Sequence, residues 1–226
     1  MGMAIKDLNL FKERLHNFPQ KYMEDFDNFW KYKLAVENTF EHLLDYKNWK
    51  ETYRRLLGVL NRWQYFRGRG VYVTPDRILK EALENISDAY NQIRKYTILE
   101  FRQIPDKPLK TIWHQLGRIK ETNGKTNPLG YYNVMSVCKP LMLLWGQTPA
   151  FDKKVRDGIY GLVRKVEHHK WRYETWKKVM ERLQQLLMQN PELIKFLEEL
   201  AAQKYGSKTI VPFGRFLDIY YWQGSL

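Results

Sequence analysis

The chain has 226 residues, 44% of them hydrophobic, enough to bury a core and too many for a disordered tail. Its 38 Lys+Arg against 25 Asp+Glu leave a net charge of +13, which points to polyanionic partners, nucleic acid or an anionic membrane surface. The single cysteine, Cys138, excludes an intrachain disulfide framework and an all-cysteine metal site, so a reducing, intracellular setting, cytoplasmic or nucleoid-associated, is expected.

No run of about 18 apolar residues is present to make a membrane span, and Met1 to Leu15 lacks a signal-type apolar core. The periodicity is helical almost throughout. Tyr22, Phe26, Phe29, Trp30, Val36, Phe40, Leu43 and Leu44 lay one apolar stripe along a long or broken helix. A second helix is expected from about Trp49 to Trp63, ending at the glycines of Arg67-Gly68-Arg69-Gly70. Thr74-Pro75-Asp76 reads as cap, first-turn proline and first-turn acid of a helix running through Leu79, Leu83, Ile86, Tyr90 and Ile93.

After Pro105 and Pro108 a helix carries Leu109, Ile112, Trp113 and Leu116, and a polar loop through Gly124 and Pro128 follows. Later helices are expected from about Asn133 to Trp145, from Asp152, over Trp171 to Met188, from Asn190-Pro191, and as a docked tail from Phe213 to Trp222. The expected architecture is therefore all-α, a single helical domain over residues 1–226 of about eight to ten helices. Two lobes with a boundary near 123–132 would also fit.

The charge is uneven. Between Lys110 and Lys178, 69 residues carry 14 Lys+Arg and five acids, so nine of the +13 charges gather there. Such a segment suits a phosphate-facing surface, although charge runs also simply solvate helices. The loop Arg62-Trp63-Gln64-Tyr65-Phe66-Arg67-Gly68-Arg69 interleaves cations with aromatics, types that neutralise phosphates and stack on unpaired bases. Its aromatics suit the core equally well. The nucleic-acid contacts expected are Arg67, Arg69, Lys125, Lys153, Lys154 and Arg156, with DNA or RNA as partner.

Several motifs fail on chemistry. Gly124-Lys125-Thr126 imitates the end of a phosphate-binding loop, but Ile119 stands where its earlier glycine belongs. His168 and His169 are adjacent and diverge on a helix, while His16, His42 and His114 fall in separate elements, so no metal and no cofactor is expected. Cys138 sits in an apolar run and reads as a buried small hydrophobe.

The most informative stretch is Asn133 to Arg156. A lysine, Lys139, enters an apolar helix; Gly146-Gln147-Thr148-Pro149 makes a turn; Asp152 then opens a helix flanked by Lys153, Lys154 and Arg156. This resembles the helix-hairpin-helix superfamily of DNA glycosylases, over about 25 residues. The resemblance implies base-excision DNA repair, a hydrolase. In that reading Lys139 is the amine that attacks the anomeric carbon of a flipped nucleotide, and Asp152 is the carboxylate that stabilises the sugar cation.

Read from the residues alone, Asp152 is a helix cap and Lys139 a surface charge. Pro140 then fits the first turn of a helix starting at about Lys139. Asp218, in the apolar tail, is expected to form a structural ion pair. The functional alternative to a nucleic-acid-binding, glycosylase-like enzyme is a non-enzymatic helical protein-interaction module.

Overall fold

A computed structural model describes residues 7–37, 39–63, 76–119, 134–160, 171–207 and 209–224. Within them every regular element is a helix, as the periodicity requires, and no strand occurs. No described helix is long and apolar enough to cross a membrane. The described residues hold eleven α-helices and a 3-10 helix, more than the eight to ten expected, because local caps and prolines divide the apolar stripes into shorter rods.

Helix α1 (Leu8–Asn17) opens on Asp7, whose carboxylate accepts the Asn9 and Leu10 amides at 2.8 and 3.3 Å. The first stripe is broken into α2 (Gln20–Val36) and α3 (Glu41–Leu44), and Phe26, Phe29, Trp30, Phe40, Leu43 and Leu44 are buried along both. In α4 (Tyr46–Arg62) the inward residues are Trp49, Leu56, Val59 and Leu60. The helix α5 (Asp76–Ile93) buries Leu79, Leu83, Ile86, Tyr90 and Ile93, the face its spacing predicts.

Between α5 and α6 (Asp106–Arg118) lies the 3-10 turn Ile98–Gln103, started by a capping box of Thr97 and Glu100. Helix α6 turns Leu109, Ile112, Trp113 and Leu116 into the core and leaves Lys107, Lys110 and Arg118 on its outer side.

Helix α7 (Val134–Trp145) is the central rod, packed against α2, α4 and α6, with all residues but Met135 buried. Here the expectation for Pro140 is corrected: it lies inside the helix rather than in its first turn. Proline removes one ladder hydrogen bond and crowds the preceding turn, a cost of about 3 kcal/mol. Burial of the apolar faces on every side offsets it, each large side chain contributing roughly 1.5–3 kcal/mol.

The remaining helices are α8 (Lys153–Ile159), α9 (Tyr173–Met188), α10 (Pro191–Tyr205) and α11 (Phe213–Gln223). Pro191 occupies the first turn of α10 as expected, but Asn190 does not cap it. Its amide instead donates to the Leu186 carbonyl at 2.6 Å, closing the end of α9. The tail docks as α11 against α1 and α8.

Two glycines allow the close approaches this requires. A Cβ on Gly158 would lie 2.7 Å from the Tyr221 carbonyl oxygen, and one on Gly214 would lie 2.3 Å from the backbone of Gln147 and Thr148. The lobe boundary near 123–132, the loop bearing Arg67 and Arg69, the Gly124-Lys125-Thr126 motif and the His168–His169 pair lie outside the described residues.

Candidate functional site

The turn between α7 and α8 is held from several sides. Buried Gln147 accepts the Ile98 amide at 3.0 Å and donates to the Val211 carbonyl at 2.7 Å. The Trp176 indole donates to the Thr148 hydroxyl at 3.2 Å, and the Gly214 amide donates to the Gly146 carbonyl at 2.8 Å. At its end Phe151, fully buried, takes φ +53°, a left-handed conformation rarely adopted by a large side chain. That departure immediately precedes Asp152. Such conformations cost about 1–3 kcal/mol and persist where the surroundings over-determine them.

Asp152 does cap α8: its carboxylate accepts the Val155 amide at 3.0 Å. It also lines a cavity of about 490 Å³, and Lys139 lines the same cavity. Two residues 13 positions apart in the chain, on different helices, are thus brought to one chamber. The side wall includes Phe18, Tyr22, Trp63, Met135, Met142 and Trp222, a largely aromatic surface. Phe18 and Trp222 meet edge to face with ring centroids 5.3 Å apart.

Lys139 is not the surface charge that residue type alone suggests; it is only 6% exposed. Its ammonium donates to the Trp63 carbonyl at the C-terminal end of α4. Burial lowers its proton affinity below that of an ordinary lysine, while the charges of Asp152 and Asp218 act in the opposite sense. An amine so placed loses its proton more readily than a solvated one, the condition for nucleophilic attack.

Asp218 and Arg215 complete the wall from α11. They form the ion pair expected of Asp218, at 3.1 Å, with the Arg215 side chain 4% and the Asp218 side chain 6% exposed. The second Asp218 oxygen accepts the Ala150 amide at 2.8 Å, and Arg215 also donates to the Tyr22 carbonyl at 2.8 Å. Burial is the largest influence on the Asp218 carboxyl and raises it to about 6, against the opposing pull of Arg215. The participation of these two residues, and of Trp63 and Trp222, in the same chamber was not foreseen. The available signal was a cation and an acid three apart in an otherwise apolar helix, where burial demands pairing.

Lys153 and Lys154 stand at the rim. Lys153 is 87% exposed in its side chain, and Lys154 lies over the Trp222 ring at 3.7 Å from its centroid. Arg62, also lining the cavity, pairs with Asp25 at 2.6 Å. Arg156 is corrected from its expected surface role: it is buried, and its guanidinium donates to the Phe151 carbonyl at 2.7 Å. Arg67, Arg69 and Lys125 lie outside the described residues.

Cys138, next to Lys139, is fully buried, and burial raises its thiol well above the ordinary range, so it acts as a core hydrophobe. Among the described residues no group of three or more His, Cys, Asp or Glu is placed to hold a metal ion. The fold and site together define an all-α protein with an open lysine–carboxylate cavity walled by aromatic rings. Comparison with protein-family models, curated proteins and solved structures finds no match for the chain.

Proposed function

We propose that the protein binds nucleic acid and excises a base from it, as a DNA glycosylase-like enzyme with Lys139 as nucleophile and Asp152 as its carboxylate partner. One observation carries the reading: a buried lysine and an aspartate from successive helices share an aromatic-walled cavity of about 490 Å³. That volume falls in the range of small-molecule sites and accommodates a flipped nucleotide.

In the reaction the neutral Lys139 amine attacks the anomeric carbon. The bond from that carbon to the base breaks, and its electron pair leaves with the base, which takes up a proton. Asp152 faces the positive charge that develops on the sugar as this bond lengthens. The new secondary amine loses a proton, the sugar ring opens to a Schiff base, and water then releases Lys139. Alternatively, elimination of the 3′ phosphate cuts the strand first. The rim cations Lys153 and Lys154 are suited to the flanking phosphates, and the Trp222 and Phe18 rings to the base.

The test is incubation of the full chain with labelled single- and double-stranded DNA carrying uracil, oxidised guanine or an abasic site, at two salt concentrations. Strand cleavage is read after heat and alkali, and borohydride is added in parallel to trap the Schiff base. The expected result is salt-sensitive binding with cleavage at a lesion and a trapped adduct on Lys139. Binding without cleavage or adduct refutes the enzymatic reading, and absence of binding at low salt refutes the nucleic-acid reading.

A further inference from the structure

Lys139 sits among charges from every element around it. From the start of α8 come Asp152, Lys153 and Lys154, and further along α8 the buried Arg156. From α4 comes Arg62, already paired with Asp25, together with the Trp63 carbonyl that accepts from the ammonium. Tyr22 lines the chamber from α2. From α11 come Arg215 and Asp218.

Asp218 differs from Asp152 in being locked. Its two oxygens are engaged by the Arg215 guanidinium and the Ala150 amide, and it is 4% exposed as a residue. Asp152, in contrast, is half-buried and caps α8 through one amide. Removing an amine from water favours its neutral form, whereas fixed carboxylates nearby favour the ammonium. Of the two carboxylates that favour the Lys139 ammonium, Asp218 is thus the one held by contacts on both oxygens.

We propose that Asp218 is a positioning residue for Lys139: fixed by Arg215 and Ala150 in the wall of the same chamber, its charge acts with that of Asp152 against burial to hold the proton on the Lys139 amine. The inference rests on the reading of Lys139 as the reactive group of this cavity, but its test needs no nucleic acid. Asp218 also ties the chamber wall to the turn that delivers Asp152, since Ala150 lies two residues before it. One locked carboxylate thereby serves both members of the pair.

The experiment is reductive methylation of the full-length protein with formaldehyde and cyanoborohydride from pH 7 to 10.5. Modification of Lys139 and of the exposed Lys153 is quantified by peptide mass spectrometry. In the wild type the Lys139 midpoint falls below that of Lys153. In Asp218→Asn it falls further, so that Lys139 at pH 8 reacts about threefold faster or more, as loss of a nearby opposite charge requires. Asp218→Glu, which keeps the charge, restores the wild-type midpoint.

Should Asp218→Asn leave Arg215 unpaired and unfold the chain, the neutral pair Arg215→Gln/Asp218→Asn is read in its place, with a smaller downward shift because the lost Arg215 cation acts in the opposite sense. A Lys139 midpoint unmoved in the folded neutral variant overturns the proposal. Failure of the glycosylase reading shows separately, as absence of DNA cleavage with the midpoint shift intact.

Discussion

The same substitution made at two glycines tests the packing that builds the chamber. Gly214 lies in the first turn of α11, where an added Cβ would meet Gln147 and Thr148 backbone atoms at 2.3 Å. Gly58 lies inside α4, where the nearest atom to an added Cβ is Arg62 Nη1 at 3.6 Å, an ordinary contact. At Gly58, alanine brings only its helix preference, so Gly58→Ala stabilises the fold by about 0.5–1 kcal/mol.

At Gly214 the same gain is at most about 1 kcal/mol, and the overlap falls on backbone that cannot rotate away. Overpacking costs about 1–3 kcal/mol and occasionally more. With an overlap of more than an ångström against ordinary contact, the upper end applies, and the net loss is about 2 kcal/mol. For a chain of this size each kcal/mol moves the melting temperature by roughly 2–4 °C. Gly214→Ala is therefore expected to melt roughly 4–8 °C below the wild type, with Gly58→Ala slightly above it. Both are read by calorimetry and by urea midpoints. Equal shifts, or a Gly214→Ala protein as stable as wild type, refute the close seating of α11 on the α7–α8 turn.

Asp152→Asn keeps an oxygen to cap α8, and asparagine caps as well as aspartate, so its melting temperature stays near wild type while base excision is lost and DNA binding persists. Unchanged excision removes Asp152 from the reaction. Replacing Lys153 and Lys154 together by alanine lowers the slope of log affinity against log salt by about 2 if both neutralise phosphates, measured by fluorescence titration; an unaltered slope places the phosphates elsewhere. Because the folded Asp218 carboxyl is raised to about 6, the native state holds its proton more tightly than the unfolded chain. Its contribution to stability is then present at about pH 4 and is lost as pH rises to about 6. Urea midpoints across that window decline less in Asp218→Asn than in wild type, and parallel profiles refute the shift. Cys138 resists iodoacetamide at pH 8 until urea unfolds the chain; rapid native labelling contradicts its burial.

Most helices were legible because they show a face at 3.6-residue spacing. The inward sides of α5 and α6 follow from Leu79, Leu83 and Ile86 and from Leu109, Ile112 and Trp113. Helix α7 was harder: a rod buried on every side has no polar face to phase it, and local rules placed Pro140 in a first turn it does not occupy. Asn190 shows the same limit, since a cap-forming side chain has a choice of neighbours and takes the Leu186 carbonyl behind it.

Within the candidate site, Lys139 and Asp152 were legible as a lysine and an acid separated by a turn, and the structure brings both to one cavity. The α11 wall was not, because Arg215 and Asp218 reach Lys139 only through the tertiary docking of a segment 60 to 80 residues later in the chain. The inward turn of Arg156 was equally hidden: its partner, the Phe151 carbonyl, is aimed by a left-handed residue that no local pattern announces.

The bond from Lys139 to the Trp63 carbonyl makes the amine a latch as well as a candidate reagent. A neutral imine has no N–H left to donate, so passage of Lys139 through that state releases the end of α4. The departure of the bond is then a signal in its own right: amide exchange in the last turn of α4 reports the covalent state of a lysine 76 residues away in the chain.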